Sequence, residues 1–557
     1  MTAIIKTTSF LGRNLLVRFL LLGLLVSSYN LIIVYFVNYQ GYNYESIYIW
    51  RITPRPLFSF VIISSFIYLS LILSPAKLKK VLMIATIPFL ILNTLLVWLA
   101  LEFKTGLSID SLLILKSTNL SETLDFLFLH WDLPIWMVLS LLFFYLWYKS
   151  EKDLTYNISR IKIFSISILL SVLTSYFINY SSENNLYYEI KNRYFPISLI
   201  GVTKDYYDFQ LLKESALNTQ KGFEFEATHQ ISDETEIHIL FLGESARADH
   251  FGLNGYQPNT TPLLSNTNGI INFNNAAAQA SHTMRALPLI LTRGTPDNYN
   301  LTYQEKSVIS AYNEAGFTTS WISSQPGYVF FDEEVYDDRR CYEADFQYFC
   351  DKTNCDDIVL VNQLKEQLKE VEIGEKYFFI IHGYGSHTPY EIRYPSSFNQ
   401  INQSSNPVIN HYDNSILYTD YIISEVIKTL PGNASCYLLY TSDHGENLAD
   451  DSRNLYFHSD IPTSYASHIP FFVWHNSKYE SLNNSKIKNL KQHSSQKISN
   501  DNVFHTLLDL SNISFPKFDY SKSLCDSSFH GSQQIIYYNE STTITLEELK
   551  NHDYKFQ

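Results

Sequence analysis

IHILFLGESARADHFGLNGY, Ile237 to Tyr256, opens with an apolar run, Ile237 to Leu242, that reads as a buried strand. At Gly243 the run breaks into a turn that presents Glu244, Ser245, Arg247 and Asp249. Open α/β sheets bind their ligands at the C-terminal ends of their strands, so a carboxylate placed there is a candidate for chemistry. A lone strand followed by a polar turn is ordinary. The weight of this one comes from other segments that answer it.

Strand-like and helical runs alternate from Glu236 onward. Ile270 to Phe273, Thr318 to Ile322, Tyr377 to Ile381, Cys436 to Tyr440 and Pro470 to Trp474 read as strands, while Ser307 to Ala315, Tyr412 to Thr429 and Asn502 to Leu510 read as helices. The alternation predicts an α/β domain over residues 232–557 with a mostly parallel sheet sandwiched by helices. Polar residues at the C-terminal strand ends should then converge. Besides Glu244 there are three such sets. TSDHGEN, Thr441 to Asn447, follows the strand CYLLY and brings Asp443 and His444 to the sheet edge. Two carboxylates and an imidazole from separate strands make an O,O,N set that suits zinc or manganese and leaves a position open; a capped turn is the competing reading of Asp-His alone. IIHGYGSHTPY, Ile380 to Tyr390, carries His382 and His387 in a glycine-rich loop, and YFHSDIPTSYASHIP, Tyr456 to Pro470, carries His458 and His468. Glycines beside imidazoles allow close approach to a phosphate or a metal.

The first third of the 557 residues is of another kind. Five apolar segments, about Leu16 to Val37, Leu57 to Leu73, Val81 to Leu101, Leu133 to Tyr148 and Ile163 to Ile178, are near the length needed to cross a bilayer. They predict an N-terminal five-helix transmembrane domain over residues 1–180, then a polar connector with some helix over 181–231. Lys77, Lys79 and Lys80 fall with Lys149, Lys152 and Arg160 on one side, which predicts an N-terminus inside and everything beyond Tyr180 outside. No small-residue cleavage site follows the first segment, so it reads as a retained anchor. Between the third and fourth segments, Ser108 to Phe128 has leucines at helical spacing broken by Thr118 and Glu122, which share a face; a surface helix and a substrate-facing one are both open.

The formal charge is -14, with a basic surplus in residues 1–180 and an acidic remainder, which argues against nucleic acid. The five cysteines, Cys341, Cys350, Cys355, Cys436 and Cys525, have neither zinc-ribbon nor redox-pair spacing; in an oxidising compartment the first three would hold one disulfide, with the pairing open.

Taken together, GESARADHFGLNGY, SDHGEN, SHTPY, YDNSILYTD (Tyr412 to Asp420) and the segment around His458, after five apolar spans, resemble the bacterial phosphoethanolamine transferases. These belong to the alkaline phosphatase and sulfatase superfamily and include lipid A modifying enzymes of polymyxin resistance. The resemblance implies that Glu244, Asp443 and His444 are zinc ligands, and that the fourth ligand is a threonine, also the nucleophile, a few residues before a proline. In AQASHTMRALPLILTR, Ala278 to Arg293, Thr283 stands five before Pro288 and matches that spacing; Ser281 and Ser245 are the neighbouring candidates. Thr118 and Glu122 match a Thr and a Glu that the family places near the lipid donor. The resemblance favours His387 and His458 over His382 and His468. TSWISSQPGY, Thr319 to Tyr328, resembles the branch with a Trp-x-Ser-x-Gln signature and makes Gln325 a substrate contact. Relatives with cysteines around the threonine differ from this chain, which has none there.

The implied chemistry is transfer of phosphoethanolamine from phosphatidylethanolamine, through a phospho-threonine, to an envelope glycoconjugate such as lipid A, lipopolysaccharide core or a periplasmic glucan. The implied place is a bacterial inner membrane with the catalytic domain in the periplasm. A hydroxyl becomes an effective nucleophile when zinc lowers its pKa. His387 and His458 would steady phosphoryl oxygens, bind a second metal or protonate the leaving group. Competing readings are a phosphoglycerol transferase of the lipoteichoic acid synthase type, a periplasmic sulfatase or phosphatase, and a membrane sensor or scaffold with a degenerate fold. Ser245 is followed by Ala-Arg-Ala, which does not fit the C/S-x-P-x-R context of a sulfatase nucleophile.

Overall fold

The computed structural model describes residues 76–103, 130–151, 197–230, 232–325, 334–335, 339–341, 356–458, 462–539 and 542–556, with short pieces at 20–25, 28–29 and 112. Two compact units divide between Phe209 and Gln210, within the stretch expected to be a connector.

In the first unit, helix α1 spans Ala76–Phe103 and helix α2 spans Asp132–Glu151. They contain the expected third and fourth apolar segments. Ile84–Leu101 of α1, with mean hydropathy 2.2, is long and apolar enough to cross a membrane, and Asp132–Trp147 of α2 is a shorter apolar helix. The expected segment Leu16 to Val37 is described only in part, and Leu57 to Leu73 and Ile163 to Ile178 lie outside the described residues, as do Thr118 and Glu122. Asn93, inside apolar α1, is fully used: its amide donates to Leu25 O and Ser28 Oγ, both at 3.0 Å, and its oxygen accepts from Tyr29 N at 3.1 Å. Trp136, Leu142, Phe143 and Leu146 of α2 are exposed. Helix α3, Ile197–Gln220, then leads to the second unit.

The second unit is built on an eight-stranded sheet. In chain order its strands are β1 Glu236–Gly243, β2 Ile270–Ala277, β3 Thr318–Ser323, β4 Arg340–Cys341, β5 Lys376–His382, β6 Ser435–Ser442, β7 His468–His475 and β8 Ile498–Ser499, and in space they run β4-β3-β5-β1-β6-β7-β2-β8. All eight residues of β1 and of β6 are buried. Ile237, Ile239 and Phe241 pack into one core with Phe379 and Leu438, while Leu240 and Leu242 pack into the other with Ile380 and Leu439. Alternation between two apolar cores explains why these strands read as continuous hydrophobic runs. Helices α4 Thr283–Leu291, α5 Val308–Glu314 and α8 Asp501–Leu510 cover one face; α6 Ile358–Leu368 and α7 Pro407–Thr429 cover the other. Side-chain caps open two of these helices. Ser307 accepts from Ile309 N at the start of α5, and Asn406 accepts from Val408 N before Pro407 opens α7.

The sheet is mostly parallel, as the sequence predicted, and is made mixed by one reversed strand. Strands β3, β5, β1 and β6 pair in parallel, but β7 is antiparallel to both β6 and β2. The cause is the connection. Among the described residues between β6 and β7 no crossover helix carries the chain back, and β7 starts at the edge where β6 ended. Hence His468, at the start of a reversed strand, lies at the same edge as the C-terminal ends of the others, paired in register with Ala277.

Candidate active site

Glu244 leaves β1 directly, and the next residue, Ser245, holds φ +58, a left-handed conformation unusual for a serine. Neighbours from α7, β6 and the loop after β5 fix that turn. Tyr412 of α7 donates its hydroxyl to Ser245 O at 2.7 Å and accepts Arg247 N–H at 2.9 Å. Ala246 N–H donates to Ser442 Oγ at 2.9 Å, and Ser386 N–H donates to Glu244 O at 3.0 Å. Gly385 has φ +50, and a Cβ there would come within 2.9 Å of Glu244 O, so the loop after β5 lies against the turn only because that residue is glycine.

Asp443 and His444 leave the adjacent strand β6. The His444 Nδ1–H donates to Gly445 O at 2.7 Å, which turns Nε2 towards Glu244 Oε1 at 3.2 Å and Asp443 Oδ2 at 3.4 Å. One ligand atom from each of Glu244, Asp443 and His444 lies within 4.8 Å of the others, the one such set among the described residues. Thr283 joins them as the first residue of α4: its hydroxyl donates to Glu244 Oε2 at 3.0 Å and stands 3.3 Å from His444 Nε2. Ser245 Oγ donates to the other oxygen of the same carboxylate at 2.8 Å.

The electrostatics show an acceptor-rich, buried site. Burial and the charge of Glu244 push the Asp443 carboxyl up to about 7. Burial alone would depress His444, but the charges of Asp443 and Glu244 outweigh it and raise the imidazole to about 10. Burial also opposes ionisation of Glu244, yet His444 holds its carboxyl well below the usual range. Asp443 Oδ2 is buried without a hydrogen-bond donor. Two carboxylates, an imidazole nitrogen and a hydroxyl, with one oxygen left unsatisfied, are the donor set a divalent cation takes.

The remaining predicted residues divide. His387 and His458 come together, ring centroids 5.7 Å apart, and the His458 ring is 4.4 Å from that of His444. His387 Nδ1–H donates to Thr388 O at 2.7 Å, and burial pushes its imidazole down to about 4. His382 ends β5 beside Ser323 Oγ at 3.3 Å, and burial pushes it likewise to about 4; His468 Nε2 meets Asn274 O at 3.1 Å across the β2–β7 pair. Gln325 is buried with its amide donating to Glu244 Oε2 at 3.2 Å and Gly383 O at 2.9 Å. Sequence reasoning missed Asp357, whose carboxylate accepts from Ser324 Oγ, Tyr384 N and Gly385 N and so fixes the loop of His387. Nothing in its surroundings in the sequence signals that role. Tyr412 and Glu446 were missed as individuals, although both stand in runs already singled out. Cys436 and Cys525 are free thiols, and Cys350 and Cys355 lie outside the described residues.

Residues 237–513 match the sulfatase family, so the chain carries a sulfatase-family domain, an α/β fold of the alkaline phosphatase type. Within that class the similar proteins are phosphoethanolamine transferases. The Kdo(2)-lipid A phosphoethanolamine 7''-transferase of Escherichia coli K12 is 29% identical over 280 residues, 48% of this chain and 48% of that one. Phosphoethanolamine transferase EptA of the same strain is 26% identical over 372 residues, 63% of this chain and 66% of that one. The chain spans about half the length of the first curated relatives it matches. Among solved structures, the integral membrane protein EptA of Neisseria meningitidis has a TM-score of 0.70 at 21% identity, covering 91% of this chain and 97% of that one. The zinc complex of the periplasmic domain of Escherichia coli EptC has a TM-score of 0.53 at 24% identity, covering 59% of this chain and 97% of that one. These two likenesses show the fold.

Proposed function

We propose that this protein transfers phosphoethanolamine from phosphatidylethanolamine to a hydroxyl or phosphate acceptor on an envelope glycoconjugate, with Thr283 as the nucleophile. In this reading residues 1–180 form five membrane-spanning helices of a bacterial inner membrane, 181–231 connect, and 232–557 form the periplasmic catalytic domain. Thr118 and Glu122 then attend the lipid donor. The observation that carries the reading is the placement of the Thr283 hydroxyl, 3.0 Å from Glu244 Oε2 and 3.3 Å from His444 Nε2, at the mouth of a buried site rich in acceptors. The names of the similar proteins supply the transferred group and, in one case, a Kdo(2)-lipid A acceptor; phosphatidylethanolamine as donor is what the family resemblance implies.

Glu244, Asp443, His444 and Thr283 would hold one Zn2+, which lowers the pKa of a hydroxyl and offsets phosphoryl charge. Thr283 Oγ1 attacks the phosphorus, an Oγ1–P bond forms, the bond to the diacylglycerol oxygen breaks, and that oxygen takes the proton Thr283 gave up. The acceptor hydroxyl then forms its own bond to phosphorus, the Oγ1–P bond breaks, and Thr283 regains a proton. His444, its Nδ1–H tied to Gly445 O, would offer Nε2 to the ion in exchange for the proton that nitrogen carries without it. His387 and His458 stand beside it to meet phosphoryl oxygens or a leaving group.

Thr283→Ala should abolish transfer of a labelled headgroup and the adduct seen by intact-mass spectrometry, while Ser245→Ala retains both. The opposite order would overturn the assignment of the nucleophile.

A further inference from the structure

One carboxylate beside the site has no part in this chemistry. Glu446 stands two residues after His444, is fully buried, and neither of its oxygens accepts a hydrogen bond. Its polar neighbours are His458 Nδ1, at 3.4 Å from Oε1 and beyond good hydrogen-bond length, and the Tyr390 hydroxyl, itself buried without a partner. Arg247 is close, donating to the backbone carbonyl of Glu446 at 3.3 Å. Its guanidinium already faces two other carboxylates, Asp249 at 2.6 Å and Asp450 at 2.7 Å. No Lys or Arg among the described residues pairs with the Glu446 side chain. A buried carboxylate left in that condition is strongly unfavourable unless a cation meets it.

A second divalent metal fits poorly. A metal needs several ligand atoms converging, and Glu446 belongs to no such set among the described residues. A primary ammonium has other needs: three N–H donors, one positive charge and loose geometry. Two carboxylate oxygens and a tyrosine hydroxyl supply the acceptors. The loop that carries His458 beside Glu446 also holds Ala449, Asn454 and Phe457 at positive φ, a concentration of unfavourable backbone typical of a functional segment.

We propose that Glu446, with the Tyr390 hydroxyl, is the subsite for the primary ammonium of the transferred group, selecting an aminoethyl phosphodiester over uncharged or anionic headgroups. This rests on the transfer reading above, which supplies a group with an ammonium near its phosphorus.

The test is calorimetric binding of O-phosphoethanolamine and of ethyl phosphate, which lacks the ammonium, to the zinc-loaded full chain in detergent. The wild type should prefer O-phosphoethanolamine about tenfold or more, and Glu446→Gln should bind the two alike. Should Glu446→Gln fail to fold, as a melting curve will show, Tyr390→Phe should narrow the same preference several-fold. Equal binding by the wild type, or binding of neither ligand, overturns the proposal. So does a preference that survives in the variants, or a second zinc that wild type holds and Glu446→Gln loses. None of these results touches the adduct at Thr283, so the subsite and the transfer reading fail separately.

Discussion

Replacing Gln325 by leucine keeps nearly the same volume and removes one donor from the metal set. In the structure that amide donates to Glu244 Oε2 at 3.2 Å and to Gly383 O at 2.9 Å, with both Gln325 and Glu244 buried. A hydrogen bond to a charged acceptor contributes about 1.5–3 kcal/mol, and the length of this one favours the lower end. About 1.4 kcal/mol is a factor of ten in a dissociation constant. Gln325→Leu should therefore weaken zinc about tenfold, at the low end of the range for residues that orient metal ligands. The assay is competition with a fluorescent chelator on the full chain in detergent, with a melting curve to confirm folding. A zinc Kd within about twofold of wild type, in a folded variant whose KM for phosphatidylethanolamine rises, would refute the reasoning. It would favour the direct substrate contact that the Trp-x-Ser-x-Gln signature suggests.

Two further outcomes follow from other parts of the second unit. His238, buried on β1 between Glu236 and Ser511, is pushed down to about 4 by burial, so the folded state stays neutral where the unfolded state, near 6.5, takes up a proton. Stability should therefore fall as pH drops from 6.5 towards 4, and His238→Gln should remove about 2 kcal/mol of that loss by pH 5 in denaturant unfolding at several pH values; an unchanged slope refutes this. Tyr412→Phe leaves Ser245 O and Arg247 N–H without their shared partner, which should cost about 2 kcal/mol or more; a melting temperature equal to wild type would show that the hydroxyl does not hold the turn.

What could be read in advance, and what could not, follows from how far each signal travels along the chain. The long strands and helices were written as local patterns: an unbroken apolar run for β1 and β6, and a helical stretch from Tyr412 to Thr429 that the structure extends back to Pro407 for α7. Because parallel strands end at one edge, the same patterns brought Glu244, Asp443 and His444 together. The reversal of β7 was not readable, since Pro470 to Trp474 is as apolar as its neighbours and strand direction is set by the connection before it. The residues that hold the site were hidden for a related reason. Asp357 and Tyr412 act on backbone groups from distant elements, and a contact between α7 and the turn after β1 has no periodicity to betray it.

That division bears on how the site is assembled. Glu244, Asp443 and His444 sit one or two residues beyond two fully buried strands and Thr283 opens α4, whereas His387 and His458 sit on loops. Asp357 fixes the first of those loops through two backbone N–H groups and Ser324 Oγ. The second loop departs from β6 at Asp443 and returns to the sheet at His468, so the reversal of β7 is what keeps it at the site. Had a crossover helix followed β6, as in an all-parallel sheet, the chain would have left this edge and His458 with it. The mixed sheet is thus the means by which an imidazole from the second loop comes to rest 4.4 Å from the ring of His444.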